Sequence, residues 1–118
     1  MCLKTVKEVL EAVNSSKPKR CFLYFMASHD ETGESWCPDC RKAQPFINKA
    51  LEKLPCDAVF FTVWTGDRPT WKSEDNEFRH APELLVTRVP TLLEFGKPRR
   101  LVESELYNEE AIVKFLTQ

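Results

Sequence analysis

Two cysteines, Cys37 and Cys40, are separated by two residues in the segment Trp36-Cys37-Pro38-Asp39-Cys40. They follow an apolar stretch that predicts a buried strand, and they open a segment with helical periodicity. Cys37 would then be the N-cap residue, with Pro38 at the first helical position, where its missing N–H costs nothing. Free amides and the helix dipole favour a thiolate at that point, and the thiolate is the attacking species in disulfide exchange. The pattern therefore predicts a redox-active dithiol.

The two thiols are predicted to divide a disulfide-exchange reaction between them. Cys37 attacks a substrate disulfide and forms a mixed disulfide; Cys40, one helical turn deeper, then attacks Cys37 and releases the reduced substrate. The charge of Asp39 opposes thiolate formation, but an exposed pair repels by only about 1 kcal/mol, which does not exceed the effect of the cap and the dipole. We expect a Cys37 pKa of about 6 to 7.5, below the ordinary value of about 8.5.

Other uses of the cysteine pair are less well supported. A structural zinc site needs four ligands, yet the chain has no second pair at this spacing, and His29 and His80 stand apart. A hydrolase-like pairing of a histidine with Cys37 is disfavoured for the same reason. The remaining alternative is a redox-regulated interaction module, in which the thiols switch the affinity for a partner without turnover. We expect the other cysteines to be small buried or incidental residues: Cys2, Cys21 and Cys56.

The composition indicates one domain, residues 1–118, with no bulk charge. Lys and Arg number 17 and Asp and Glu number 18, which gives a formal net charge of −1. Such a chain has no bulk attraction to nucleic acid or to an anionic membrane. The basic residues Lys17, Lys19 and Arg20 surround Pro18 and are predicted to form a solvated turn. Since no apolar surface is clearly left over, we expect a monomer.

The number and spacing of the cysteines indicate the cellular compartment. The chain has five cysteines, an odd number whose spacing does not resemble a secreted disulfide framework. We see no basic segment followed by a long apolar run at the N-terminus, and so expect no signal peptide. The longest apolar run, residues 21–27, is too short to cross a bilayer. We therefore expect a reducing, cytoplasmic location.

Hydrophobic periodicity predicts the order helix, strand, helix, strand, helix, strand, strand, helix. Strands are predicted at residues 21–27, 58–63, 91–95 and 100–103. Helices are predicted from a capping box at Thr5 and Glu8, from Pro38 with a kink at Pro45, within residues 73–85, and from a cap at Asn108. Strands joined through helices and followed by a hairpin indicate an α/β fold, a central mixed β-sheet flanked by helices on both faces.

A second motif, Val89-Pro90-Thr91, leads into the third predicted strand, at a position where a sheet tolerates proline. With Trp-Cys-x-x-Cys and a kinked helix, it resembles the thioredoxins. The chain is more closely similar to the family of the thioredoxin-related protein of fourteen kilodaltons, also called thioredoxin domain-containing protein seventeen. The motifs that carry this resemblance are Ser35-Trp36-Cys37-Pro38-Asp39-Cys40, Gly66-Asp67-Arg68-Pro69, Trp71-Lys72, Val89-Pro90-Thr91-Leu92-Leu93 and Leu101-Val102-Glu103-Ser104-Glu105.

The resemblance implies a thioredoxin fold and a cytosolic disulfide reductase that acts on protein disulfides and on small disulfides such as cystine. It implies no bound cofactor, with electrons supplied by NADPH through thioredoxin reductase. It also implies a cis bond before Pro90, which would present the Val89 backbone to an extended substrate strand. Trp36 is expected to shield the site. Trp71 and Phe78 are expected to anchor the segment after Pro69.

The chain departs from thioredoxin at the proton acceptor. Thioredoxin has a buried aspartate on the strand beneath its cysteines, and Tyr24 occupies that place here. The acceptor for the Cys40 proton is therefore left open among Asp39, Glu34 and water. The N-terminus is also short, and residues 1–4 leave little room for the usual first strand, so that edge of the sheet is expected to be truncated or missing.

The loop at residues 28–35 is longer than the direct connection in thioredoxin. It carries Asp30, Glu31 and Glu34 close to the dithiol. We predict that it screens large or acidic partners by shape and like charge; the alternative is a solvated loop with no selective effect.

Overall fold

The first helix begins where the capping pattern predicts. The structure is a computed structural model that describes residues 2–118. Helix α1 covers Val6–Ser16. The Glu8 amide donates to Thr5 Oγ1 at 3.0 Å, and the Thr5 amide donates to a Glu8 carboxylate oxygen at 3.2 Å. This reciprocal pair satisfies donors that a helix start leaves free.

Five strands form one mixed sheet in the order β1-β3-β2-β4-β5. Their bounds are Cys2–Leu3 for β1, Arg20–Met26 for β2, Ala58–Trp64 for β3, Thr91–Glu94 for β4 and Arg100–Val102 for β5. Strands β1, β3 and β2 run parallel, whereas β4 is antiparallel to β2 and β5 is antiparallel to β4. The predicted hairpin is the pair β4 and β5. The α/β class and the mixed sheet are confirmed.

Strand β2 is central and has helices packed on both of its faces. Phe22 packs edge-to-face on Phe115 at 5.9 Å between ring centroids, and Phe25 packs on Phe78 at 5.8 Å. Because side chains alternate along a strand, Phe22 and Phe25 point to opposite faces. The remaining helices are α2 at Pro38–Ala50, α3 at Arg68–Lys72, α4 at Glu77–His80 and α5 at Glu109–Thr117. The expected layering, a sheet covered on both sides, is therefore present.

Helix α2 carries the dithiol and buries a stripe at helical spacing: Cys40, Ala43, Ile47 and Ala50. Pro45 lies inside it, as predicted. Helix α5 is capped by Asn108, whose side-chain oxygen accepts from the Ala111 amide at 3.1 Å. The sheet face between them is filled by aromatic rings, so α2 rests on a dense layer of side chains.

The region between β3 and β4 differs from the prediction. The short helix expected within residues 73–85 is present as α4, but a second short helix, α3, precedes it and starts at Arg68, where the sequence was expected to break the chain with no helix. The Asp67 carboxylate caps α3 by accepting from the Thr70 amide at 3.0 Å. A capping aspartate followed by proline is a helix start as well as a turn signal, and here the helix formed. Trp71 and Phe78 are buried and anchor this region.

The N-terminal edge is truncated rather than missing. Strand β1 has only two residues, and Leu3 is paired with Val63 of β3. Met1 lies outside the described residues.

The prediction of a solvated basic turn is wrong for Arg20, whose side chain is only 30% exposed and is bound to a buried carboxylate. It begins β2 and donates to the buried Glu94 carboxylate twice, at 2.9 Å from Nε and 3.0 Å from Nη2. Arg99 adds a third contact at 3.3 Å. The Arg20 hydrogen bond, and then the Arg99 charge, hold the pKa of Glu94 below its usual range against the opposing effect of burial. Sequence patterns miss this pair because its members are 74 positions apart.

We expect Arg20→Ala to lower the free energy of unfolding at pH 7 by about 2 kcal/mol, because a buried carboxylate loses a bidentate partner. A carboxylate with a depressed folded-state pKa contributes stability above its unfolded pKa of about 4.3 and loses it in acid. The difference between wild type and variant should therefore shrink below about pH 4. Urea unfolding at neutral and acidic pH measures both effects.

The matched control is Arg88→Ala, since Arg88 pairs at 3.2 Å with Glu103 on the surface. That change should alter stability by less than about 0.5 kcal/mol. An equal effect of the two substitutions would contradict the structural role of Arg20.

Candidate active site

The dithiol lies at the start of α2, where the carboxyl end of β2 meets the helix. Cys37 is the N-cap residue and Pro38 is in the first turn. Cys37 is 8% exposed, whereas Cys40 is fully buried, so only Cys37 presents a sulfur to solvent. Both are free thiols, and the structure therefore represents the dithiol form. The arrangement matches the predicted roles of an outer attacking thiol and an inner resolving thiol.

The pKa values of the two thiols are shifted in opposite directions. A hydrogen bond from the Cys40 thiol, assisted by the amides of Cys40 and Asp39, outweighs burial and the Asp39 charge and lowers the pKa of Cys37 to about 6. The same hydrogen bond, together with burial, raises the pKa of Cys40 far above its ordinary value. The Cys37 pKa agrees with the expectation from the helix start. Its largest cause, the neighbouring thiol, did not enter the sequence argument.

Ser35 supports the inner thiol and was not singled out by the sequence argument. Its hydroxyl donates to the Ala27 carbonyl at 2.8 Å, and its oxygen accepts from the Cys37 amide at 3.3 Å. The Ala27 amide in turn donates to Cys40 Sγ at 3.5 Å. Hydrogen bonds from Ala27 and Ser35 favour a Cys40 thiolate, although burial and Cys37 oppose it more strongly. Ser35 therefore links Ala27, just after β2, to the backbone of Cys37.

Trp36 covers the site from the side of the loop that follows β3. Its Nε1 donates to the Gly66 carbonyl at 2.9 Å, and the Arg68 guanidinium lies 4.8 Å from the ring centroid. Gly66 has φ +120°, and a Cβ there would lie 2.7 Å from a Thr70 methyl carbon. A residue with a side chain would therefore displace the loop that holds Trp36.

The Val89-Pro90 motif lies at the same edge of the sheet. The peptide bond between Val89 and Pro90 is cis, and both residues are buried. Strands β4 and β2 are paired so that Thr91 lies opposite Phe25. Pro90 therefore lies beside the end of β2, where the Ala27 amide contacts Cys40. The Pro90 carbonyl accepts from the Glu103 amide at 2.8 Å. The fold thus brings together the two motifs that are about fifty residues apart in the sequence.

Two tyrosines lie close to the dithiol. Tyr24 is fully buried on β2, and its hydroxyl has no hydrogen-bond partner among residues 2–118. Burial, and then the charge of a Cys40 or Cys37 thiolate, raises the pKa of Tyr24. Leaving such a group unpaired costs about 1–3 kcal/mol. The Tyr24 phenol is therefore a neutral group at physiological pH.

Tyr107, which follows the 3₁₀ turn Glu103–Leu106, was missed by the sequence argument. Burial, and then a hydrogen bond with Asp39, raises the pKa of Tyr107 to about 12. The Lys42 ammonium lies 4.6 Å from its ring centroid. Asp39 is thus held at the outer side of the site, facing Tyr107. No local pattern marks Tyr107, because only tertiary packing brings it to α2.

A cavity of about 180 Å³ lies on the inner side of Cys40, beneath the loop at residues 28–35. Its polar and titratable lining residues are His29, Glu34, Ser35, Cys40, Arg41 and Gln44. Such a volume holds several waters, since one occupies about 30 Å³ of liquid. Of the proposed proton acceptors, Glu34 lines the same cavity as Cys40, and the cavity is large enough to admit water.

The three cysteines outside the dithiol differ in solvent exposure. Burial raises the pKa of Cys2 and of Cys21, which makes both thiols less reactive. Cys56 is exposed. Within residues 2–118, no three His, Cys, Asp or Glu side chains group so as to hold a metal ion.

Comparison with known proteins agrees with this geometry. The family described as "Thioredoxin domain-containing protein 17-like, thioredoxin domain" matches residues 2–118. The chain belongs to this family. Thioredoxin domain-containing protein 17 of Danio rerio is 42% identical over 112 residues, which cover 95% of this chain and 89% of the relative. The Mus musculus protein of the same name is 46% identical over 99 residues, covering 84% and 79%.

Solved structures establish the fold. Fasciola hepatica thioredoxin superimposes with a TM-score of 0.62 at 21% identity, covering 98% of this chain and 95% of that one. Deadhead, a germline-specific thioredoxin of Drosophila melanogaster, gives 0.56 at 16% identity, with 97% and 93% covered. The thioredoxin fold expected from the sequence is confirmed. Membership of the thioredoxin domain-containing protein 17 family supports a thiol oxidoreductase type of function. No helix within residues 2–118 is long and apolar enough to span a membrane.

We expect iodoacetamide to alkylate Cys37 with a pH midpoint of about 6. Cys40→Ala should move that midpoint up, because the variant lacks the largest stabiliser of the thiolate. Asp39→Asn should move it down, because an opposing charge is gone. Peptide mass spectrometry measures both shifts, with the exposed Cys56 as an internal reference for the reagent. A midpoint that stays in place in Cys40→Ala would refute the assigned cause.

Proposed function

We propose that this protein is a thiol–disulfide reductase that reduces protein disulfides and small disulfides such as cystine. The observation that carries the proposal is the position of two thiols at one helix start, with Cys37 at the N-cap and 8% exposed and Cys40 fully buried. The lowered pKa of Cys37, about 6, favours its thiolate at neutral pH. The buried Cys40 remains a thiol until it is needed, which fits an attacking and a resolving role.

The proposed cycle balances in two exchanges. The Cys37 thiolate attacks one sulfur of the substrate, so that a Cys37–substrate disulfide forms and the first substrate thiolate leaves. Cys40 then loses its proton and attacks Cys37, which forms the Cys37–Cys40 disulfide and releases the second substrate thiolate. The substrate gains two electrons, and the dithiol loses two. The second exchange is fast because α2 holds the thiols at high effective concentration.

The oxidised pair must be reduced before another cycle. We assign this step to thioredoxin reductase with NADPH as the electron source, in the cytoplasm and with no cofactor bound to the chain. The family supports this assignment through its thioredoxin domain. A cytoplasmic thiol pool is sufficiently reducing for the cycle to run toward substrate reduction.

Substrate contact is assigned to the rim of the site. Trp36 limits access to Cys37 from one side, held by its hydrogen bond to the Gly66 carbonyl. The backbone beside the cis Val89–Pro90 bond is available for an extended substrate strand on the other side. Pro38 and Asp39 are exposed in the first turn of α2 and complete the outer edge.

The deciding experiment is NADPH consumption with thioredoxin reductase, this protein and excess cystine. We expect sustained consumption that Cys37→Ser abolishes and that Cys40→Ser lowers by at least about a hundredfold, because resolution is no longer intramolecular. Consumption no greater than that of the reductase alone would overturn the proposal. A redox-regulated interaction module would instead stop after one equivalent of disulfide.

The acidic loop at residues 28–35 generates a further prediction. Glu31 is exposed on this loop, which lines the cavity beside Cys40 through Glu34 and Ser35. Glu31→Lys should raise the rate on an anionic disulfide, oxidised glutathione, by about two- to fivefold relative to neutral hydroxyethyl disulfide at low salt. The gain should disappear at high salt, because exposed charges are screened.

The control is Glu52→Lys, which makes the same charge change at the other end of α2, in the turn Leu51–Lys53. It should leave the rate ratio of the two disulfides unchanged. An unchanged ratio in Glu31→Lys as well would leave the loop without an electrostatic role in selectivity.

A further inference from the structure

The resolving thiol poses an electrostatic problem that the proposed cycle leaves unsolved. Cys40 is fully buried, and burial and Cys37 both oppose its ionisation. It must nevertheless become a thiolate before it attacks the mixed disulfide. Since a buried charge is tolerated only when it is hydrogen-bonded, the protein must supply donors to the Cys40 sulfur at that moment.

One donor to Cys40 is in place among the described residues, the Ala27 amide, which donates to Sγ at 3.5 Å, a long contact. The Ser35 hydroxyl also favours a Cys40 thiolate, but its proton is donated to the Ala27 carbonyl at 2.8 Å. A further donor that is free in the dithiol state would therefore matter most when the charge appears.

Tyr24 provides an unused donor on the sheet side of the site. Its hydroxyl is completely buried and has no partner within residues 2–118. Tyr24 and Phe22 lie on one face of β2, the face that packs on α5, and the Tyr24 ring stacks with Phe60 at 6.3 Å between centroids. A Cys40 thiolate acts on the phenol more strongly than a Cys37 thiolate does. Helix α2, which carries Cys40, packs against α5 over this same face, so the buried phenol lies on the side of the sheet that holds the inner thiol.

We propose that the Tyr24 hydroxyl donates a hydrogen bond to the Cys40 thiolate during the resolving step, and that this state supplies the partner it lacks in the dithiol. The proposal rests on the reductase cycle proposed above. Tyr24 gives up no proton: it is a neutral donor, and its raised pKa excludes it as the base. The Cys40 proton leaves to water, the new bond joins Cys37 to Cys40, and the departing substrate thiolate takes up a proton from water.

Several other groups face Cys40 and set the background against which a pH profile is interpreted. They come from α2, from the loop at residues 28–35 and from the segment after β5: Cys37, Asp39, Arg41, His29, Glu34 and Tyr107. All of them remain in the variant Tyr24→Phe. A shift in the pH midpoint of the second rate that appears only in this variant is therefore caused by loss of the phenol hydroxyl.

The test is the reaction of the reduced protein, in excess, with dithiobis(nitrobenzoate), followed by the absorbance of released thionitrobenzoate. The first release reports attack by Cys37, and the second reports resolution by Cys40. Tyr24→Phe should leave the first rate within about twofold and slow the second by about tenfold at neutral pH. The pH midpoint of the second rate should rise, so the deficit shrinks in alkaline solution. Thermal stability should not fall, because the lost hydroxyl has no partner.

Phe22→Leu is the matched control, since it alters the same face of β2 without touching the phenol. It should leave both rates within about twofold. A second phase of Tyr24→Phe that matches wild type in rate and pH midpoint would overturn the role of Tyr24 alone. A wild-type protein with no second release, indistinguishable from Cys40→Ser, would instead overturn the proposed reductase cycle.

Discussion

The coupling between the two neighbouring thiols is the interaction on which the chemistry of this site depends. It stabilises charge on Cys37 and opposes charge on Cys40, so one contact produces both the reactive and the resting thiol. The effect requires the two sulfurs to lie one turn apart, with only one of them near solvent. That geometry needs a helix that starts at Cys37 and a sheet that buries Cys40. The rest of the fold can be understood as the support for this requirement.

Strand β2 provides most of that support. Its carboxyl end places Ala27 against Cys40, and its pairing with β4 brings Pro90 to the same edge of the sheet. Helix α2 buries its apolar stripe and packs against α5, so Cys40 is held on the inner side of the helix. Because these contacts join distant parts of the chain, the site exists only when the whole sheet is assembled.

The parts of the structure that could be predicted from sequence are those with local causes. The cap at Thr5, the helix start at Cys37 and the buried strand beneath it follow from residue types a few positions apart. Tyr107, the hydroxyl network of Ser35 and the pairing of Arg20 with Glu94 depend on tertiary contacts that no local pattern encodes. The helix at Arg68 was missed for another reason, since an aspartate followed by proline signals both a turn and a helix start.

Two buried polar side chains, one on β2 and one on the neighbouring β4, differ in how their burial is compensated. Beside the start of β2, the Glu94 carboxylate is satisfied by Arg20 and Arg99, so its burial is compensated. In the middle of β2, the Tyr24 hydroxyl has no partner among residues 2–118, at a cost of about 1–3 kcal/mol, an appreciable share of a typical total of 5–15 kcal/mol. A phenylalanine would fill the same space without that cost. The uncompensated group lies on the side of the sheet that holds the dithiol, where a reaction that creates charge on Cys40 would give it a partner.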